Sequence, residues 1–497
     1  MPLWQRGRLW YAKKSLAFYH IILYNEAMKK NDIIPLEITG MTLQGDGIAR
    51  YEGVPVFVPG TCPGDRIQAL LLKAKPNCAF GKCAQLLEPS PERIDPGCEA
   101  FPRCGGCAFR HIRYDTELAI KRREAGETLR RIGGIELELE PILGAETPER
   151  YRNKALLPVC VEHGRVRAGY YARHSHRVVY SGDCRLQPEV FSRLAGAVCA
   201  WAEEAGCSVY DEGTGKGLLR HVYLRHSQGG KQVLACLVIN GRGVPRADTL
   251  VARLRAESPA LWGVLLSHNT KDSNAVLGQE ETLLWGEGQI TETLCGLEFT
   301  LSPRSFFQVN PAQAQRLYRL AGELAGLAGK ERVLDLYCGT GTIGLTMARD
   351  CAALVGVEAV PQAVEDARRN AARNGISNAR FLCMDVAQAA ARLAGEGWRP
   401  DTVLLDPPRK GCEPALLRTV AEMAPGRIVY VSCDPATLAR DLKLLRGMGY
   451  EAKRIVPVDM FPRTGHVEMI VLLTGVTLRK KRRKKTRKKR EQVEGRE

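Results

Sequence analysis

The spacing of apolar and polar residues divides the chain into regions of different character. Between residues 301 and 475, short apolar runs recur at 332–336, 353–357, 379–383, 402–405, 428–431 and 467–473. Such runs, bounded by polar turns, predict strands covered on both faces. Amphipathic stretches such as 361–374 fall between them, and the alternation predicts a doubly wound sheet. Residues 34–92 follow a tighter rhythm. Ile38, Met41, Leu43 and Ile48 bracket Gly45 and Gly47, and the runs 54–60, 67–72 and 83–87 supply further strands. Closely spaced strands with glycine turns predict a small β-barrel. Residues 93–300 open with a cysteine cluster and pass through a basic segment, Arg110 to Arg131. That segment reads as one helix interrupted near Gly126, and it is either a solvated face or an RNA contact. Strands and helices then alternate up to residue 300. Residues 1–33 form a poorly patterned extension, with Met28 as an alternative start, and 476–497 form a basic disordered tail.

A chain of 497 residues is too long for one ordinary core, so several domains are expected. The formal charge is +17; the segment 479–497 holds twelve Lys or Arg against three Glu, so +9 lies there and +8 elsewhere. A chain that is basic even without its tail favours a polyanionic partner. The tail itself is either a solvating segment or a nonspecific RNA-binding arm. The apolar run 16–24 contains His20, is too short to span a bilayer, and is followed by no small-residue cleavage site. A cytoplasmic protein with no membrane association is expected, and no obligate protein partner is evident. Its seventeen cysteines are then metal ligands, catalysts or core residues rather than disulfides.

Three signals converge on a cofactor site. Val333-Leu-Asp-Leu-Tyr-Cys-Gly-Thr-Gly-Thr-Ile-Gly344 reads as strand, glycine turn and helix start. Glycines there let the backbone approach a ligand. Dinucleotide enzymes use a similar turn, so this signal alone is weak. The second strand ends in Glu358, placed to hold ribose hydroxyls. A later strand ends in Asp406-Pro-Pro. Together these resemble the S-adenosylmethionine-dependent methyltransferase fold.

Cys433 follows the apolar run 428–431, at the end where a parallel sheet opens its ligand crevice. Asp-Pro-Pro-Tyr loops mark amino-methylating enzymes, but here Arg409 replaces the aromatic residue. A strand-end cysteine suits a carbon target. The C5 of a pyrimidine is a poor nucleophile until a thiolate adds to C6 and turns the ring into an enolate. A base must afterwards remove the C5 proton. Glu468, at the start of the last strand, is the candidate, and His466 is its competitor.

These motifs resemble the RNA uracil-5-methyltransferase family, particularly its 23S ribosomal RNA branch, over residues 34 to 475. The motifs are Ser305-Phe-Phe-Gln-Val-Asn-Pro311, Asp335-Leu-Tyr-Cys-Gly-Thr-Gly341, Asp406-Pro-Pro-Arg-Lys-Gly411, Ser432-Cys-Asp-Pro435 and Gly465-His-Val-Glu468. The pieces Gly45-Asp-Gly-Ile-Ala-Arg and Val56-Phe-Val-Pro-Gly resemble the TRAM domain, an RNA-binding module of OB-like shape. The resemblance implies a multidomain chain. It would hold a TRAM barrel over 34–92, an α/β central domain over 93–300 and a Rossmann-like methyltransferase domain over 301–475. It implies that Gln308, Tyr337, Glu358 and Asp406 contact S-adenosylmethionine, that Cys433 is the nucleophile and that Glu468 accepts the proton. Asp434 stands where many relatives have Asn; it adds negative charge near the thiol, which bears on the local details of thiol activation and leaves the reaction class unaffected. The implied substrate is 23S rRNA; the alternatives are the same chemistry on tRNA or a noncatalytic RNA-binding assembly factor.

Cys98-x5-Cys104-x2-Cys107 supplies three closely spaced soft ligands, which suit zinc or iron–sulfur. A fourth is needed, and Cys184 is the best candidate. In the family, this spacing with a distant cysteine binds a [4Fe-4S] cluster. A radical S-adenosylmethionine site would use a different spacing.

Overall fold

The computed structural model describes residues 28–271 and 275–475; the expectations for residues 1–27 and for the basic tail lie outside them. The chain divides into two compact units. The first contains residues up to Gly97, together with Cys107–Glu124 and Arg463–Gly465. Its strands β1 (Ile33–Glu37), β2 (Gly40–Met41), β3 (Asp46–Tyr51), β4 (Val54–Pro59), β5 (Arg66–Lys75) and β6 (Cys78–Glu88) form one sheet in the order β1-β5-β6-β4-β3-β2. Alternate side chains point inward, so Ile34, Leu36, Val56, Val58, Ile67, Ala69 and Leu71 make its core. Asp65 ties the following loop. It accepts from the amides of Cys62 at 2.6 Å and Ser90 at 2.9 Å and from Arg93 at 2.6 Å. Burial opposes its charge, but Arg93 and the two amides outweigh burial and lower its pKa.

Helix α1 (Tyr114–Thr128) corrects the expectation for the basic segment. It starts after Arg110 and Arg113 and runs through Gly126 without a break, ending in a π-turn over Leu129–Gly133. Lys121 is fully buried against Glu117 at 2.7 Å, and Arg110 is buried and donates to the Pro96 carbonyl at 3.0 Å. These two cations therefore serve the fold; Arg123, Arg130 and Arg131 remain exposed. The same helix holds the segment Arg463–Gly465, since the Arg463 amide donates to Glu117 at 2.7 Å.

The second unit carries two large sheets. The strands β7 (Lys154–Glu162), β8 (Arg165–Tyr171), β9 (Val178–Tyr180), β10 (Leu219–Ser227), β11 (Gln232–Ile239), β12 (Leu261–His268) and β13 (Glu280–Gly286) run in the order β13-β12-β11-β10-β7-β8-β9. Helices α2 (Glu189–Glu204) and α3 (Ala247–Glu257) cover this sheet, burying Phe191, Trp201 and Leu250. A hairpin, β14 (Ile290–Leu294) and β15 (Leu297–Leu301), leads into the other sheet.

That sheet alternates with helices: α4 (Pro311–Ala325), β16 (Arg332–Leu336), α5 (Thr342–Met347), β17 (Ala353–Glu358), α6 (Pro361–Arg373), β18 (Ala379–Cys383), α7 (Val386–Gly395), β19 (Thr402–Leu405), α8 (Pro414–Met423), β20 (Arg427–Ser432), α9 (Pro435–Gly447), β21 (Tyr450–Val458) and β22 (Glu468–Gly475). Its order is β18-β17-β16-β19-β20-β22-β21, parallel except at β22. The order reverses between β16 and β19, the switch point at whose carboxyl-end side open α/β sheets bind their ligands. The sequence pattern missed β21. Its first half, Tyr450-Glu-Ala-Lys-Arg454, is largely exposed and charged, so no apolar run announced it.

Candidate active site

The glycine turn is built around two carboxylates. Asp335, buried on β16, accepts the Gly344 amide at 3.1 Å. A Cβ on Gly344 would stand 2.6 Å from that oxygen, so only glycine lets α5 start there. Glu358, ending β17, accepts the amides of Gly339 at 3.2 Å and Val360 at 2.9 Å. It thus shapes the turn from the neighbouring strand. Tyr337 takes a left-handed φ of 65°, and its phenol pKa is raised by burial and then by Cys412 and Glu413. Asp406, one residue past β19, lies opposite. Burial pushes its carboxyl up to about 7. Asp335 is pushed up to about 8 by burial and then by the Asp406 charge, while the Gly344 amide pulls it back.

Gln308 sits in a loop held at several backbone points. Asn153 donates to its carbonyl at 3.1 Å and, through its own amide, to that of Val309 at 2.8 Å. The fully buried Arg225 donates to the carbonyls of Ser302 at 2.5 Å and Ser305 at 2.8 Å. Ser305 donates to Asp366 on α6 at 3.2 Å. Neither Asn153 nor Arg225 stood out in the sequence, because Asn153, just before β7, and Arg225, on β10, each lie far along the chain from the motif they support.

Strand register brings the nucleophile candidate and the base candidate together. β20 and β22 are antiparallel, with Ser432 paired to Met469. One residue further along each strand, at the end of the ladder, come Cys433 and Glu468. Burial pushes the Cys433 thiol up to about 11; the charges of Glu468 and Asp406 add to this and that of Arg409 opposes it. Glu468 is buried and pushed up to about 8 by burial and then Asp406, again opposed by Arg409. Cys433, Glu468, Asp406 and Arg409 therefore form one electrostatic patch. His466 is exposed, with its ring edge-on to Phe461 at 5.8 Å.

Asp434 corrects an expectation. Its carboxylate caps α9, accepting the amides of Ala436 and Thr437 at 2.9 Å each, with Pro435 in the first turn. The charges that act most on the thiol are those of Glu468, Asp406 and Arg409. An Asn would cap equally well.

Three of the four cysteines expected to bind metal fall in the second unit. Cys98 and Cys104 pack with Ala100, Ala172 and Val179. Burial raises the Cys104 thiol pKa, the Gly106 amide at 3.3 Å lowers it, and Cys184 and Cys98 raise it further. Cys107 belongs to the first unit. Among the described residues, no group of three or more His, Cys, Asp or Glu side chains stands at metal-holding geometry. Thiols are the donor type a soft metal takes, and Cys98 and Cys184 act on the charge of Cys104, but the set as it stands does not form a metal-holding group.

Residues 295–476 match the tRNA (Uracil-5-)-methyltransferase family, and residues 29–84 match the TRAM domain. The chain is 40% identical over 447 residues to an uncharacterized RNA methyltransferase of Halalkalibacterium halodurans, covering 90% of this chain and 98% of that one. An uncharacterized RNA methyltransferase of Clostridium tetani is also 40% identical over 447 residues, with 90% and 97% covered. Among solved structures, the tRNA (uracil-54, C5)-methyltransferase of Pyrococcus abyssi in complex with S-adenosyl-L-homocysteine is similar. Its TM-score is 0.71 at 27% identity, covering 88% of this chain and all of that one. Fold and site define an S-adenosylmethionine-dependent RNA methyltransferase. The chain belongs to the RNA uracil-C5 methyltransferase family that carries a TRAM domain.

Proposed function

We propose that the enzyme methylates C5 of a uridine in 23S rRNA through a covalent bond between Cys433 and C6. The observation that carries this reading is the pairing of a strand-end thiol with a buried carboxyl at the end of the β20–β22 ladder. The Cys433 sulfur bonds to C6, and the C5–C6 π electrons move toward O4. C5 then takes the methyl group as that group's bond to the donor sulfur breaks and the sulfur keeps the electron pair. Glu468 removes the C5 proton, the S–C6 bond breaks, and the thiolate leaves. When bound, S-adenosylmethionine supplies an electrophilic methyl. Gln308, Tyr337, Glu358 and Asp406 are the positions proposed to hold it. In the free enzyme the thiol is protonated at neutral pH, because its pKa is near 11. The Arg409 charge opposes that rise, so it favours the thiolate that attacks.

The target base must leave its stack to reach a thiol at a strand end. The TRAM unit and exposed arginines would grip phosphates, which position RNA without reading its sequence. Cys98, Cys104, Cys107 and Cys184 would hold a [4Fe-4S] cluster, or zinc, as a cross-link between distant chain segments. The ribosomal reading rests on the TRAM domain together with this cysteine set. A second reading, methylation of tRNA, is favoured by the Pyrococcus abyssi enzyme, which is covered along its whole length. No helix among the described residues is long and apolar enough to cross a membrane. Labelled S-adenosylmethionine incubated with separated rRNA and tRNA tests the assignment. Label in 23S rRNA alone supports it, and label in tRNA alone selects the second reading. Label in neither leaves the noncatalytic factor.

A further inference from the structure

A buried cluster outside the reacting groups joins the two loops that frame the thiol. Asp441, on α9, is fully buried. One of its oxygens accepts from the Tyr430 hydroxyl at 2.7 Å and from the Cys412 amide at 2.8 Å. The other accepts from Arg440 Nε at 2.8 Å. A buried carboxylate needs such partners to stay charged. Arg440 Nη2 in turn donates to the carbonyls of Lys410 at 2.9 Å and Cys412 at 3.2 Å. Between those residues Gly411 turns with φ of 72°, its amide bonded to the Pro408 carbonyl at 2.8 Å. A Cβ on Gly411 would stand 2.5 Å from Arg440 Nη2 and 2.6 Å from Asp441 Oδ2. The turn therefore closes directly onto the Arg440–Asp441 pair. Arg409 is the residue immediately before it.

We infer that Arg440, seated on Asp441, is a positioning residue that fixes the 410–412 turn and so aims Arg409 at Cys433 and Glu468. The helix that begins just after Cys433 thereby reaches back, through α9, to the loop that carries Asp406 and Arg409. Motion of one loop against the other would separate the guanidinium from the thiol. The charged groups that act most on the thiol are Glu468 from β22, and Asp406 and Arg409 from the loop after β19; of these three, Arg409 favours the thiolate, as does a backbone hydrogen bond. Loosening the turn should therefore make the thiol less acidic. The inference deepens the proposed reading of Cys433 as the nucleophile, but it can be tested without turnover.

The test is the pH dependence of Cys433 alkylation by iodoacetamide, followed on the Cys433 peptide by mass spectrometry. The full chain is compared with its R409Q, R440Q and doubly substituted variants. Arg440 is half-exposed, so Arg440→Gln leaves the core of α9 in place, and an unchanged melting curve checks this. Below the thiol pKa the rate follows the thiolate fraction. At pH 8.5, R409Q is expected to react about tenfold more slowly and R440Q about threefold more slowly than the wild type. If Arg440 acts through Arg409, the double variant reacts no more slowly than R409Q. A purely structural loosening would instead expose the thiol and speed alkylation at every pH. R440Q reacting at or above the wild-type rate, or a double variant slowed by the product of the two single effects, overturns the inference. The failure of the proposed reaction is separate: it would appear as methyl transfer by Cys433→Ala, which these alkylation rates do not measure.

Discussion

Glu358 and Glu468 are the same residue type at the ends of two strands of one sheet, yet their surroundings suit them to different tasks. Glu358 accepts two backbone amides from its own turn and from the glycine turn beside it. Those bonds hold its carboxylate in one orientation, which suits it to binding hydroxyls. Glu468 is buried beside a thiol and a second carboxyl, and its pKa is pushed up to about 8. That is the environment of a group that exchanges a proton near neutral pH. The cysteines show the same contrast. Cys412 is buried, lies 3.5 Å from the Tyr430 hydroxyl and is pushed up to about 12. Cys433 is only half-buried, and Arg409 acts on it.

The comparison can be broken at several points. Cys433→Ala removes the proposed nucleophile and should lower methyl transfer on the order of 10⁴-fold or more, measured with labelled donor. Glu468→Gln should slow turnover by roughly 10² to 10⁴-fold while the methylated protein–RNA adduct accumulates on denaturing gels. Glu358→Ala should weaken S-adenosylmethionine binding about tenfold to a hundredfold, by calorimetry, and leave Cys433 alkylation unchanged. If Glu358 instead governs the thiol, the distinction between the two strand ends fails.

The pH dependence carries a sign. Glu468 must be ionised to accept a proton, and its folded value lies near 8. The kcat/KM of the wild type should therefore rise through pH 8 rather than fall. The smallest effect is on stability. Glu468 has a folded pKa above its ordinary value of 4.5, so the folded state binds the extra proton between those values. Its contribution is fully present below pH 4.5 and is lost as pH rises through about 8. Glu468→Gln should thus raise the Tm at pH 9 by roughly 2–4 °C and do less at pH 5.

Much of the methyltransferase sheet was readable because parallel strands buried on both faces leave unbroken apolar runs. The expected strand at 332–336 coincides with β16, and those at 379–383 and 402–405 coincide with β18 and β19. The exception, β21, lies at the sheet edge, where half the strand is charged. The basic segment is helical as expected from Tyr114 onward, but its start and its expected break near Gly126 were misplaced, and the role of its charges was not legible. Charge alone did not reveal that Lys121 pairs with Glu117 inside the unit. In the site, motif residues that end strands were readable: Glu358, Asp406, Cys433 and Glu468. Their partners were not. Asp335 lies inside a strand, and Asp441 on a helix whose sequence carries no chemical signature. Asp434 looked like an intruding charge until its place at the start of α9 showed a cap.

The most direct measurement is mass spectrometry of the Glu468→Gln enzyme after incubation with S-adenosylmethionine and substrate RNA. The account predicts one cross-linked peptide, containing Cys433 bonded to C6 of a uridine that already carries the C5 methyl group. Methylated RNA with no adduct, or an adduct through any other cysteine, would contradict it.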